Sequence, residues 1–213
     1  GAVGDDDASR AYTARMARLG IETRLTTAPQ TSTGMAWITV DDAGENAIVV
    51  IPGANDHALP SVDDVQLGDV LLCQLELPIA QVEHAVRRAA SLGARVVLNA
   101  APFTVLARDV VAVADPMVVN EHEAAALADS GLVPRSLLVT FGAAGAQWDD
   151  LRVEAVPVPA HEVVDTTGAG DAFCGSLAAA LATRADRHTA LVAATQAAAG
   201  AVRRVGAQPD PRL

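Results

Sequence analysis

The sequence predicts an α/β fold with a mainly parallel sheet, on three observations. From residue 70 onward, short apolar runs alternate with helical patterns: Val70 to Leu75 is apolar, Ile79 to Leu92 is helical, Arg95 to Asn99 is apolar again, and another such run ends at Val118 and Val119. Strands and helices in alternation mean βαβ units, whose crossovers pair strands in parallel. A further strand, Ser136 to Phe141, leads into a β-rich stretch through Val164, and two Ala-rich helices follow at Ala169 to Thr183 and His188 to Val202. With 213 residues, 51% of them hydrophobic, the chain can bury a substantial core. No repeat, low-complexity tail or linker divides it, so residues 1–213 are expected to form a single domain.

The earlier elements follow the same logic. Ala8 to Gly20 carries Tyr12, Met16 and Leu19 at helical spacing and ends at a glycine, the pattern of a short amphipathic helix with a C-terminal cap. Gly34 to Val40 and Ala47 to Ile51 are β-branched runs separated by the turn-rich Asp41-Asp42-Ala43-Gly44-Glu45-Asn46, which predicts a hairpin over 34–51. Between Asn120 and the strand at Ser136 there is room for a helix of about two or three turns at a rise of roughly 1.5 Å per residue, shorter than a usual crossover.

Charge and cysteine content bound the function. Against 26 acidic residues stand 15 Lys and Arg, a formal net charge of −11, which argues against a nucleic-acid partner because such binders cluster bases against phosphates. The two cysteines, Cys73 and Cys174, are too few for a disulfide scaffold and lack the paired spacing of a zinc site. No run of 18 strongly apolar residues and no signal-like start occur, so the expectation is a cytoplasmic protein without a membrane partner.

The sharpest local feature is Asp165-Thr166-Thr167-Gly168-Ala169-Gly170-Asp171, which follows an extended stretch and runs into an Ala-rich helix. A glycine-rich turn at a helix start gathers backbone N–H groups and the positive end of the helix dipole at one point, an anion site suited to phosphate. Asp171, in the first helical turn, stands where a carboxylate can take the proton of an attacking hydroxyl. The same spacing also fits an Asp that only caps a helix behind a tight turn. Phe141-Gly142-Ala143-Ala144-Gly145-Ala146 follows a strand and has glycines that permit close backbone approach to a ligand, although an ordinary strand-to-strand turn looks the same. It is neither a Walker A loop nor GxGxxG. Asn120-Glu121-His122-Glu123 ends a predicted parallel strand at the edge where α/β sheets bind ligands. Asn120 and Glu123 can hold a hydrated Mg ion through oxygen, or form a capping box. His57, His84, His161 and His188 show no metal spacing.

Taken in this order, the three motifs resemble the ribokinase family of carbohydrate kinases, also called the pfkB family, over nearly the whole chain. DTTGAGD resembles that family's C-terminal signature. Gly44-Glu45-Asn46, Ile48-Val49-Val50, Pro52-Gly53-Ala54-Asn55, Gln74-Leu75-Glu76 and Asn99-Ala100-Ala101-Pro102 are similar to its ribokinase branch. The resemblance implies a ribokinase-like three-layer fold with a small β lid, to which the 34–51 hairpin contributes or lies adjacent, and lids that pair into a homodimer. It implies phosphorylation of D-ribose at the 5-hydroxyl by Mg-ATP, with Asp171 as catalytic base and the backbone of Gly168, Ala169 and Gly170 as anion hole. Glu76, with Asp171, would bind the sugar. Asn120, Thr140, Phe141, Gly142, Ala143, Ala144, Gly145, Gly170 and Thr195 would contact ATP, and Glu123 would serve Mg2+. A monovalent cation, K+, would lie near Asp165, Thr167, Ala201, Arg204, Gly206 and Asp210, partly on backbone carbonyls.

The sequence departs from the family pattern at its start, where a strand bearing a sugar-gripping Asn and Asp and a GGKGAN-like segment are expected; it opens instead at what resembles the GDD turn that follows them. The crossover after Glu123 is also short, and the chain stops soon after Gln208-Pro209. Two other readings therefore stay open: a kinase for another sugar or a nucleoside, and a catalytically inactive nucleotide-binding fragment.

Overall fold

The computed structural model describes residues 1–40 and 46–207. It divides into two compact units, Gly1–Ser61 with Glu76–Gln81, and Val62–Leu75 with Val82–Leu213.

In the first unit, strand β1 (Ala2–Gly4) is followed by helix α1 (Asp7–Arg18) and by β2 (Thr26–Ala28), which pairs with β1 in parallel. The α1 N-terminus is set by Asp6, whose Oδ1 accepts from Ser9 N at 2.9 Å and from the Thr33 hydroxyl at 2.6 Å, while Oδ2 accepts from Thr33 N at 2.7 Å. Thr33 Oγ1 in turn accepts from Gly4 N at 3.0 Å, so one carboxylate ties the end of β1, the start of α1 and residue 33 together. With these donors, chiefly the Thr33 hydroxyl, the Asp6 carboxyl is held down at about 2. The expected hairpin forms: β3 (Met35–Val40) pairs antiparallel with β4 (Asn46–Ile51), from Met35 opposite Ile51 to Val40 opposite Asn46. A small core of Ala2, Ala28, Ala54 and Ala58, with Leu77 packed against it, is buried elsewhere in the unit. Met35, Trp37, Ile38, Val49, Val50 and Ile51 of the hairpin are exposed.

The second unit is built on a six-stranded sheet. Along the chain come β5 (Val70–Cys73), α2 (Ile79–Ser91, whose first turn belongs to the first unit), β6 (Arg95–Asn99), α3 (Arg108–Val113) and β7 (Ala114–Asn120). Then follow α4 (Glu121–Ser130), β8 (Leu137–Thr140), β9 (Ala146–Trp148), β10 (Leu151–Val153), α5 (Ala169–Ala182) and α6 (Arg187–Ala201). The strand order is β10-β9-β8-β7-β6-β5. The pairs β5–β6, β6–β7 and β7–β8 are parallel, as the βαβ alternation requires, and β9 and β10 add two antiparallel strands.

Strand alternation sends Val97, Val118, Leu138 and Trp148 to the face covered by α5 and α6, where they pack with Phe173, Cys174, Leu177, Leu181, Leu191 and Ala194. Val96, Leu98 and Val119 are buried with the opposite parity. The crossovers α3 and α4 pack against β7 and β8, and right-handed connections put successive crossovers on one face. The result is three layers. In α2, Val82, Ala85, Val86 and Ala89 are buried at i, i+3, i+4 and i+7, the stripe of a helix packed on one side.

Trp148 is fully buried, yet its indole N–H is satisfied by Ser136 Oγ at 3.1 Å, and Ser136 Oγ donates to Asp115 Oδ1 at 2.7 Å. The Arg95 and Arg187 guanidinium groups lie 5.3 and 4.9 Å from its ring centroid and pair with Asp115.

One expectation is corrected here. The β-rich stretch from β8 to Val164 is strand only as far as Val153, and Ala160–Glu162 is a 3-10 turn. Pro157 and Pro159 lack the N–H that a sheet ladder needs. The short helix after Asn120 is present as α4, about three turns long. Among the described residues no helix is long and apolar enough to cross a membrane.

Candidate active site

The C-terminal ends of the parallel strands carry the residues with chemistry. Asn120 closes β7 and lies opposite Thr140, the last residue of β8. Asn120 and Glu123 form the capping box: Asn120 Oδ1 accepts from Glu123 N at 2.9 Å, and Glu123 Oε2 accepts from Asn120 N at 2.8 Å. One Glu123 oxygen is thereby engaged and the other left open.

After β8 the chain turns through Gly142–Ala144 and returns as β9, with Phe141 N donating to Gly145 O at 2.8 Å. The segment is thus a strand-to-strand turn. It also walls a cleft. Gly145 has φ +95°, and a Cβ there would meet the Val153 carbonyl oxygen at 2.1 Å, so the turn closes only with glycine at this position. The cleft has a volume of about 550 Å³, and Thr140, Gly142, Ala143, Gly145, Gly170 and Thr195 of the expected nucleotide residues line it. Such a volume lies within the range of small-molecule sites. Phe141 and Ala144 belong to the turn but not to the lining; the Arg152 guanidinium stacks 5.1 Å from the Phe141 ring centroid.

The opposite wall is apolar: Val156, Pro157, Val158, Val163, Phe173 and Val202. Sequence reasoning missed the 155–163 part of it. These residues have neither helical nor strand periodicity, and their only signal is apolar residues interleaved with prolines.

The helix α5 starts beside this cleft. Gly168, its N-cap, has φ +77°, and a Cβ there would lie 2.8 Å from the backbone of Ala207. Ala169 N donates to Thr166 O and Ala172 N to Gly168 O, which leaves the Gly170 and Asp171 N–H groups without an acceptor among the described residues. Ala169 and Gly170 face the cleft, while Thr167, Gly168 and Asp171 line a second cavity of about 250 Å³ with Ala172, Ala201, Arg204, Gly206 and Ala207. Of the residues expected near a monovalent cation, Thr167, Ala201, Arg204 and Gly206 line this second cavity, Asp165 does not, and Asp210 lies outside the described residues.

Asp165 braces this second cavity. Its Oδ1 accepts from Thr167 N at 2.8 Å and its Oδ2 from Gly206 N at 2.9 Å. The Thr167 side chain, then the Thr167 and Gly206 N–H groups, hold its carboxyl below the ordinary value. Val164 N and Asp165 N both donate to Val202 O, fastening the turn to the end of α6. Asp171 is exposed, and its Oδ1 accepts from Gln74 Nε2 at 2.5 Å. Gln74 stands next to Cys73, the last residue of β5. Cys174, one turn beyond Asp171, is buried; burial, and then the charges of Asp171 and Glu123, push its thiol up to about 12, so it is not a nucleophile. Glu76 is exposed and belongs to the first unit. His57, His84, His122, His161 and His188 are all exposed.

A sequence profile described as the pfkB family carbohydrate kinase matches residues 1–212. The chain belongs to this family.

Its fold and activity class follow: a ribokinase-like α/β fold and an ATP-dependent carbohydrate kinase. The chain is 33% identical over 225 residues to the ribokinase of Bacillus subtilis, covering 98% of this chain and 75% of that protein. It is 33% identical over 233 residues to the deoxyribokinase of Salmonella typhi, covering 97% of this chain and 75% of the relative. The crystal structure of a ribokinase from Thermotoga maritima superposes with a TM-score of 0.84 at 28% identity, over 97% of this chain and 74% of that one. The α5 turn borders the cleft at Ala169 and Gly170, and its Gly170 and Asp171 N–H groups have no acceptor among the described residues.

Proposed function

We propose that this protein transfers the γ-phosphoryl group of Mg-ATP to the 5-hydroxyl of D-ribose, giving ribose 5-phosphate. One observation carries the reading: Asp171 stands in the first turn of α5, where Ala169 and Gly170 line the 550 Å³ cleft and the Gly170 and Asp171 N–H groups have no acceptor among the described residues. A base and an anion hole on one helical turn are what an in-line displacement needs, because its charge builds on the transferred oxygens while a hydroxyl loses its proton.

In this reading the cleft holds the nucleotide. Thr140, the 141–145 turn and Thr195 contact it, with Asn120 at the neighbouring strand end. The backbone of Gly168, Ala169 and Gly170 stabilises the transferred group, Asp171 takes the hydroxyl proton, and Glu76 contacts the sugar. Among the described residues no cluster of three acidic, His or Cys side chains could cage a metal. Mg2+ needs none, since it keeps waters and is held through one or two carboxylates and the substrate phosphates; the open oxygen of Glu123 fits that role. Bound there, Mg2+ would neutralise phosphate charge. K+ fits the smaller cavity, where Asp165 stays ionised and Thr167, Ala201, Arg204 and Gly206 supply backbone oxygens; Asp210 completes the proposed set. Its part would be to order the turn.

The exposed apolar hairpin supports a homodimer. Trp37 and Val49 are cross-strand partners and both stand in solvent, and a lone two-stranded ribbon is marginal in water, so a second copy would cover it. The protein is proposed to work in the cytoplasm.

Deoxyribose is the second reading, because the deoxyribokinase relative shares the same 33% identity with this chain as the B. subtilis ribokinase. An ATP-consumption assay of the full-length protein with ribose, deoxyribose, fructose and adenosine decides between them. The highest kcat/KM is expected with ribose. A clear preference for another acceptor reassigns the substrate, and no consumption with any of them points to an inactive nucleotide-binding protein.

A further inference from the structure

Asp171 accepts one side-chain hydrogen bond among the described residues, from Gln74, and the two are 97 positions apart. An amide N–H donated to a carboxylate makes a charge-assisted bond, roughly twice as strong as a neutral one. Gln74 is firmly held. The residue before it, Cys73, pairs with Leu98 in the sheet; the residue after it, Leu75, is buried and its N–H donates to the Ala101 carbonyl at 3.3 Å. The amide is therefore presented from the residue that directly follows a strand, pinned on both sides by backbone hydrogen bonds, which keeps it in one geometry.

An amide suits this position chemically. Its NH2 group donates, and it neither gains nor loses a proton in the working range, so it cannot compete with the base. With Oδ1 engaged by Gln74, Oδ2 is the oxygen left to act. As the sugar O–H bond breaks, the proton passes to Oδ2, the new O–P bond forms, and the bond from the γ-phosphorus to the ADP oxygen breaks with its electron pair on ADP.

We propose that Gln74 is a positioning residue for the general base, holding the Asp171 carboxylate by Oδ1 so that Oδ2 faces the substrate hydroxyl. The proposal rests on the reading of Asp171 as the base.

The test uses the full-length protein with its best sugar acceptor. Gln74→Met keeps the length and removes the donor; Gln74→Glu keeps the shape and puts an acceptor against an acceptor. Each should lower kcat by ~10- to 100-fold, the scale for a lost hydrogen bond to a charged group, with KM for Mg-ATP and for the sugar nearly unchanged. Folding is followed by melting temperature, and Gln74→Glu decides if the Met variant does not fold. In an Asp171→Asn background, Gln74→Met should have no further effect on the residual rate, since there is no base left to hold. Wild-type kcat in both Gln74 variants overturns the proposal. So does a raised sugar KM with kcat intact, which would make Gln74 a sugar ligand, and so does an undiminished loss in the Asp171→Asn background, which would make its role structural. Asp171→Asn measured alone separates the two levels: if it turns over normally, the base reading itself has failed and the role of Gln74 falls with it.

Discussion

The Asp165 carboxylate accepts the Gly206 N–H at 2.9 Å across 41 residues of sequence, and its other oxygen accepts the Thr167 N–H at 2.8 Å. One side chain thus joins the turn before α5 to the turn after α6, on either side of the smaller cavity. A cation there would complete the same bracing. Potassium is expected to raise the turnover of the full-length protein severalfold over a bulky organic cation, and Asp165→Ala should lower the rate and abolish that response. Rates measured against potassium and tetramethylammonium check this; equal rates in both would remove the cation from the account.

A second carboxylate sets an acid limit for the first unit. Asp6, held at about 2 against an ordinary 3.8, is favoured in its charged form by folding. Its contribution is therefore complete above the unfolded value and is lost as pH falls through the folded one. Stability should decline from about pH 4 toward pH 2 in the wild type, and Asp6→Asn should be less stable at neutral pH but flatter across that window. An NMR titration of the Asp6 carboxyl checks it directly, since a midpoint near the ordinary 3.8 would contradict the bonds to Thr33 and Ser9.

What was legible in the sequence followed local physics. The α5 turn was legible as a glycine-rich helix start, though its spacing fitted a plain helix cap as well as an anion site, and the Asn120–Glu123 spacing contained both the capping box that forms and an oxygen donor. The hairpin and the βαβ order were readable from β-branched runs and alternation. What was not legible lacked a local signature. β1 and β2 are three residues each, too short for a period. The cleft wall at 155–163 has no regular structure beyond one 3-10 turn, and its valines, β-rich in composition, gave no period to show which way they face. Gln74 could be quoted from its segment, but its partner lies 97 residues on and only the fold brings them together.

Gly168 makes a sharper local prediction. At φ +77°, with the Ala207 backbone 2.8 Å from where a Cβ would be, Gly168→Ala meets strain and a clash at once. A loss of ~1–3 kcal/mol in stability is expected from a side chain forced into this region, together with a lower kcat as the Gly170 and Asp171 N–H groups are displaced. Thermal melting and steady-state kinetics on the same preparation test both parts. A variant with wild-type melting and turnover would show that the turn adapts and that its conformation is not needed.

The role of Asp171 is tested most directly by the turnover of Asp171→Asn on ribose, measured beside its affinity for Mg-ATP in the full-length protein. Asn keeps the shape and can still accept from Gln74, but it cannot take a proton. Turnover should fall by ~100-fold or more, the size expected for a lost general base, while nucleotide affinity stays near that of the wild type. Turnover within a few-fold of the wild type would contradict Asp171 as the base and leave it only the capping of a helix.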